Sequence, residues 1–142
     1  VYKRQLLHSQ EFNDPQYYDQ KFKTPYQYIV SMLRAGGIED PNWKRIQGML
    51  NQLSMPVYQC LSPNGYKNTE DAWLNPEAML LRISYATQIA NGALSKKQAL
   101  DSKQLQATLG NNFSVETKEI VNKTHPKLRA AIMLGSPEMM YR

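Results

Sequence analysis

Apolar residues recur at helical spacing along most of the chain, which is the pattern of helices that bury one face. The segment KFKTPYQYIVSMLRAGG, residues 21–37, shows it most clearly. Thr24 and Pro25 predict a helix start, because a threonine side chain caps the first turn and proline needs no amide partner there. Gly36 and Gly37 predict its end. The apolar stripe between them consists of Tyr26, Ile29, Val30 and Leu33.

The same start, a capping residue followed by proline, occurs four more times, at Asp40–Pro41, Asn75–Pro76, His125–Pro126 and Ser136–Pro137. The first leads a stripe of Trp43, Ile46, Leu50 and Leu53. The second predicts a helix that stops near Gly92, and the third one that stops at Gly135. Weaker patterns predict helices from Ser95 to about Leu109 and from Val115 to about Lys123.

These patterns predict an all-α fold, with about six helices in an irregular bundle that forms a single domain over residues 6–142. We expect the striped aromatics Tyr26 and Trp43 to pack in its core. Residues 54–74 lack helical periodicity and contain two prolines and the Asn64–Gly65 turn. This segment is predicted to be either a short hairpin or an irregular loop, and connections of this length are often functional.

Arg82 is the ionisable residue in the most unusual position. On a helical wheel of residues 76–91 it lies on the apolar face, with Ala78, Met79, Ala86 and Ile89. A guanidinium there needs a carboxylate or backbone carbonyls as acceptors, or must extend to solvent.

We therefore predict that Arg82 is at least half buried and binds the 54–74 loop. Its predicted partners are Glu70, Asp71 or carbonyls near Tyr66, with Trp73 packed beside it. A structural tie between helix and loop is the favoured interpretation of this cluster. Contact of Tyr66 and Trp73 with a carbohydrate or peptide is the alternative.

Residues that could carry catalysis are sparse. Cys60 is the single cysteine, and the two histidines, His8 and His125, have no spacing typical of a zinc site or a nucleophilic triad. We predict no catalytic residue, no cofactor and no metal ligand.

The net charge of +5 suggests nucleic-acid binding only weakly, because basic residues are scattered among acidic ones. We predict no nucleic-acid partner. The longest uninterrupted apolar run is 130–134, far short of the roughly 18 residues of a membrane span. We predict no membrane span.

The first five residues, VYKRQ, match the translation of a transposon-end sequencing adaptor, as found at the ends of metagenomic reading frames. We expect residues 1–5 to be a non-native scar with few contacts; the alternative is a genuine helix that continues into Leu6 and Leu7. These two leucines are predicted to pack inward.

Three blocks together resemble the C-terminal part of the bacterial family called domain of unknown function 1800. They are residues 21–37, quoted above, then PNGYKNTEDAWLNPEAMLLRISYA at 63–86 and MLGSPEMMYR at 133–142. The resemblance implies a large bacterial protein of several hundred residues, often exported or periplasmic, with no established activity. It implies two partners for this chain: the missing N-terminal portion of the same protein and a second exported protein.

The sequence therefore predicts an unknown biochemical activity and a helical, non-catalytic portion that packs against or binds a partner. The alternative is a fragment of an enzyme whose catalytic groups lie in the missing N-terminal portion. Nucleic-acid binding is the third and least favoured hypothesis.

Overall fold

The computed structural model describes residues 2–95, 98–109 and 112–142, and this part of the chain is all-helical. The helices run in the order α1 (Tyr2–Leu7), a 3₁₀ turn (Pro15–Tyr17), α2 (Pro25–Ala35), α3 (Trp43–Gln52), α4 (Pro76–Ala90), α5 (Ser102–Leu109), α6 (Val115–Lys123), α7 (Pro126–Leu134) and α8 (Pro137–Met140). The predicted fold class is confirmed. The described residues contain eight α-helices, two more than the approximate count from the sequence.

Helix starts follow the predicted rules in most places. The Thr24 hydroxyl accepts a hydrogen bond from Gln27 N, and the Gln27 side chain accepts one from Thr24 N, so α2 begins with a complete capping box. Asn75 and His125 cap α4 and α7 with their side chains. Gly37, with φ of +62°, ends α2 in the left-handed region.

Two predicted helix starts are wrong. α3 does not begin at Asp40–Pro41; its cap is Asn42, whose Oδ1 accepts from Arg45 N at 3.1 Å. α5 begins at Ser102 instead of Ser95. Leu100 N donates to Ala90 O at 2.9 Å, so the chain before α5 runs back along the end of α4. Residues 96 and 97 lie outside the described part.

The core centres on the packing of α4 against α7. Small residues allow the two helices to approach, since a Cβ placed on Gly135 would lie 3.5 Å from the Ala86 Cβ. Around this pair the fully buried apolar side chains are Tyr28, Ile29, Met32, Leu50, Ile89, Leu94, Leu105, Met133 and Leu134.

The C-terminal segment closes the fold by pairing with the residues before α2. Lys21 and Arg142 exchange backbone hydrogen bonds of 3.1 and 3.0 Å, and Lys23 N donates to Met140 O at 2.8 Å. Phe22 and Tyr141 face each other across this isolated antiparallel bridge.

Residues 54–74 form an irregular loop and not a hairpin, which were the two predicted alternatives. It contains a turn closed by Gly65 N donating to Ser62 O at 3.0 Å. Ser54 and Tyr58 adopt positive φ of 60° and 62° without being glycine, so this backbone is held in a sparsely populated conformation.

Four predicted core residues are exposed. Tyr26 and Trp43 are 51% and 66% exposed, and Leu6 and Leu7 are also exposed. The apolar residues of α2 cover a wider arc of the helix surface than the core contacts. Tyr28 and Met32 lie on the part of this arc that packs in the core, and Tyr26 lies outside it. Residues 2–7 form a helix that buries no residue. The origin of residues 1–5 as a scar stays a prediction. Val1 lies outside the described part of the chain.

Candidate functional site

Arg82 is completely buried, at 0% exposure, at the junction of α4 with the segment before α2. Its Nη2 donates to Lys23 O at 2.8 Å. The guanidinium carbon lies 4.5 Å from the ring centroid of Phe22 and 4.9 Å from that of Tyr28, at cation–π distance from both. The burial predicted for Arg82 is confirmed. The predicted acceptor is wrong, because Arg82 binds the backbone next to α2 and not the 54–74 loop.

No carboxylate among the described residues pairs with this buried cation, and its Nε and Nη1 have no hydrogen-bond partner there. Burial lowers the pKa of Arg82 to about 10, which still leaves the side chain protonated at neutral pH. The attraction of the two aromatic faces, worth about 2 kcal/mol for a desolvated pair, offsets part of the cost of burying the charge.

Tyr28 connects this arginine to the rest of the core. Its hydroxyl donates to Leu134 O at 2.9 Å, and the Arg82 carbonyl lies 3.4 Å away. Burial raises the pKa of Tyr28, so the hydroxyl remains a neutral donor. Through Arg82 and Tyr28, three helices that are distant in sequence, α2, α4 and α7, meet at one point. We call Phe22, Tyr28 and Arg82 the arginine cluster.

The C-terminal residues lie against the outer side of the arginine cluster. The Phe22 ring packs edge-on against Tyr141, with ring centroids 5.3 Å apart. Lys23 Nζ donates to Met139 O at 2.8 Å. Burial lowers the pKa of Lys23, opposed by the nearby Asp19 carboxylate.

The predicted loop residues separate into other contacts. The Tyr66 hydroxyl donates to Pro56 O at 2.6 Å, and Trp73 Nε1 donates to Lys67 O at 2.7 Å. Their rings lie 6.2 Å apart in an edge-to-face arrangement. Both aromatic side chains therefore bond to the backbone of their own loop and stabilise its conformation. The aromatic rings that contact Arg82 are those of Phe22 and Tyr28, and not that of Trp73.

The two predicted acidic residues do not reach Arg82 either. Glu70 Oε1 accepts a hydrogen bond from the Tyr141 hydroxyl at 2.7 Å, so it ties the loop to the C-terminal segment. Asp71 is exposed, and a hydrogen bond from Thr69 lowers its pKa. Of the five predicted site residues, the structure brings Tyr66 and Trp73 together and places Arg82 elsewhere.

Glu138 is a contact residue that the sequence reasoning missed. Its side chain reaches the N-terminus of α6, where Oε1 accepts from Ser114 N and from the Thr117 hydroxyl, both at 2.9 Å. Partial burial opposes ionisation, but these hydrogen bonds outweigh it and lower the pKa of Glu138 to about 2. Ser136, which looked like the local cap, makes no side-chain cap bond.

An apolar groove runs between α2 and α3. Its volume is about 440 Å³, and its apolar lining includes Tyr26, Ile29, Val30, Leu33, Trp43, Ile46 and Leu50. Arg34 and Glu39 are its charged lining residues. The two most exposed aromatic side chains of these helices, Tyr26 and Trp43, therefore lie in the walls of one groove.

Two further findings concern chemistry and membranes. In the part of the chain that the structure describes, no three histidine, cysteine, aspartate or glutamate side chains are grouped to hold a metal ion. None of the described helices is both long and apolar enough to cross a membrane.

The described part of the chain is an all-helical fold with a buried arginine cluster beside its core. A family model described as a protein of unknown function (DUF1800) matches residues 2–141, and the chain belongs to that family. This confirms the family to which the three sequence blocks pointed, while their place in its C-terminal part stays a prediction. No curated protein and no solved structure is significantly similar to the chain.

Proposed function

We propose that this chain is the C-terminal helical part of a larger exported bacterial protein and that, without catalysis of its own, it binds the polypeptide that precedes it. The observation that carries the proposal is the apolar groove between α2 and α3. Tyr26 and Trp43 expose about half or more of their surface there, on helices whose opposite faces are well buried. Large aromatic side chains that are exposed to this extent beside an apolar groove are typical of an interaction site.

The N-terminal arm, residues 2–20, supports the same conclusion. None of its residues is buried, although it carries large apolar side chains at Leu6, Leu7, Phe12, Tyr17 and Tyr18. These apolar side chains bury little surface as long as the arm faces water. We therefore expect the preceding polypeptide to cover the arm.

The shape of the groove favours a helix as its occupant. Tyr26 and Val30 of α2 line one side of the groove, and Trp43 of α3 lines the other. Leu33, Ile46 and Leu50 also line it but are buried, so they form its floor. An amphipathic helix with apolar residues three, four and seven positions apart fits between two such walls. Tryptophan, tyrosine and arginine are also the residues that most often dominate binding energy.

The test is co-purification of this chain with a separately expressed polypeptide that precedes it in the full-length protein. Trp43→Glu is expected to weaken binding by about tenfold or more, since it removes the most exposed aromatic side chain of the groove and places a charge in its wall. Leu80→Glu is the matched control, because Leu80 is 70% exposed on α4 and lies outside the groove. Thermal unfolding of both variants should remain close to that of the unchanged chain.

Equal binding by the two variants, or no binding by the folded, unchanged chain, would contradict the proposal. The competing hypothesis, an enzyme whose catalytic groups lie upstream, makes a different prediction. It requires histidine, aspartate or glutamate at catalytic or metal-ligand spacing in the preceding sequence.

A further inference from the structure

Basic side chains from two helices line one cleft between α5 and α7, on a different part of the surface from the groove. The cleft has a volume of about 450 Å³ and is lined by Lys103 of α5 and by Lys127 and Arg129 of α7. Among the described residues that line it, Asp101 is the one carboxylate. We call these three cations and the space between them the basic cleft.

Arg129 is held in position by the backbone. Its Nε donates to Thr124 O at 3.0 Å and its Nη2 to Asn122 O at 3.1 Å, which leaves Nη1 free to donate to a ligand. Because two carbonyls already fix the guanidinium, little side-chain entropy remains to be lost when it binds an anion.

The remaining charges leave the basic cleft with a positive excess. Lys103 and Lys127 are exposed, and neither forms an ion pair with a carboxylate in the described part of the chain. Asp101 has a local role, since its Oδ1 accepts from Lys103 N at 2.9 Å at the start of α5. Three cations and one carboxylate give a net charge of about +2 at neutral pH.

Two helices begin beside the cleft, α5 at Ser102 and α7 at Pro126, and both residues line it. Their first amides already have acceptors, since Asp101 Oδ1 accepts from Lys103 N and His125 Nδ1 accepts from Lys127 N. The positive charge of the cleft therefore comes from its three cationic side chains.

We propose that the basic cleft binds a compact dianion, the phosphate group of a phosphate monoester. A single tetrahedral group can receive hydrogen bonds from the fixed guanidinium and from two mobile ammonium groups at once. The proposal is independent of the groove and of the function proposed for it.

The test is titration of the whole chain with inorganic phosphate, monitored by backbone amide NMR, with chloride exchanged for phosphate to keep the ionic strength constant. Saturable shifts are expected at the backbone amides of residues 101–103 and 127–129. Lys103→Gln and Lys127→Gln should each weaken binding about two- to fivefold. Lys44→Gln on α3 is the control, since it removes the same charge from an exposed site outside the cleft.

A second arm identifies the source of the phosphate. Flotation with phosphatidylcholine vesicles, with and without phosphatidic acid, shows whether a lipid headgroup can present the group. Binding to phosphate alone indicates a soluble monoester, and binding to both indicates that a membrane-borne monoester is also accepted. Absence of saturation, or equal weakening by Lys44→Gln, would overturn the proposal.

Discussion

At the scale of single residues, Arg82 is the side chain on which the packing around α2 depends. It is fully buried, yet its one hydrogen-bond acceptor in the described fold is the Lys23 carbonyl. The planar guanidinium can lie between the Phe22 and Tyr28 rings and still donate along its edge. A lysine ammonium has no such plane and would be more strongly hydrated, so it would suit this position less well.

We expect Arg82→Ala to lower the free energy of unfolding by about 2–4 kcal/mol, because it leaves a cavity and an unpaired Lys23 carbonyl. Arg82→Met should cost less, since it fills the space and removes two buried nitrogens, Nε and Nη1, whose N–H groups lack partners. Urea unfolding of the three proteins measures both differences. A neutral Arg82→Ala would show that the arginine cluster contributes nothing to stability.

Ionisation of Glu138 makes the free energy of unfolding depend on pH under acidic conditions. A carboxyl whose folded-state pKa is lowered stabilises the fold above its unfolded value of 4.5, and this contribution is lost as the pH falls toward about 2. Because the side chain is partly exposed, we expect Glu138→Gln to cost only about 1 kcal/mol at neutral pH.

The check is thermal unfolding of Glu138→Gln beside the unchanged chain across this pH range. The difference in Tm should be largest above the unfolded value of 4.5, should shrink as the pH falls toward about 2, and should vanish only below that, where the folded-state Glu138 is also protonated. Glu116→Gln, on the exposed first turn of α6, is the control and should change stability little. A difference that is constant with pH would contradict the role assigned to Glu138.

At the scale of helices, local chemistry predicted most starts and stops. Thr24–Pro25, Asn75–Pro76 and His125–Pro126 begin helices where the sequence rules place them, because capping is a contact within a few residues. The predicted start of α3, at Pro41 after Asp40, lies two residues before its actual start at Trp43. Asp40 and Asn42 are both suitable capping residues, and only tertiary contacts decide between them. Asn42 N donates to Leu94 O, which fixes this choice.

Two glycines in neighbouring elements should respond to substitution in opposite directions. A Cβ placed on Gly48, in the middle of α3, meets nothing within 4 Å, so Gly48→Ala should stabilise by about 0.5–1 kcal/mol through helix propensity. Gly37 has φ of +62°, and Gly37→Ala should destabilise by about 1 kcal/mol. Chemical unfolding measures both, and a destabilising Gly48→Ala would contradict the open environment described for α3.

At the scale of the whole molecule, what the sequence could not predict is which part of a broad apolar stripe meets the core. Tyr26 and Tyr28 lie two residues apart and are chemically identical, yet Tyr28 is buried and Tyr26 is half exposed. The arginine cluster shows the same limit. The helical wheel predicted that Arg82 is buried. Its hydrogen-bond acceptor, the Lys23 carbonyl, is 59 residues away in sequence, and no local pattern predicts so distant a contact.

The contacts of Glu138 were missed for the same reason, since they join residues 21 to 24 positions apart. The groove, by contrast, left a trace in the sequence. α2 has more apolar residues than one buried face requires, and the extra residues form a wall of the groove. An apolar helix face that is wider than the part buried in the core can therefore indicate a second binding surface on the same helix.

We propose that the groove between α2 and α3 is covered by the polypeptide that precedes this chain in a longer protein. The most direct measurement is thiol labelling of a chain with Cys60→Ser and Trp43→Cys, alone and as part of the full-length protein. We expect rapid labelling of position 43 in the isolated chain and labelling at least about tenfold slower in the full-length protein. The control, Leu80→Cys in the same background, should be labelled at similar rates in both. Equal labelling of position 43 in the two proteins would show that the groove remains open and would contradict the proposed interface.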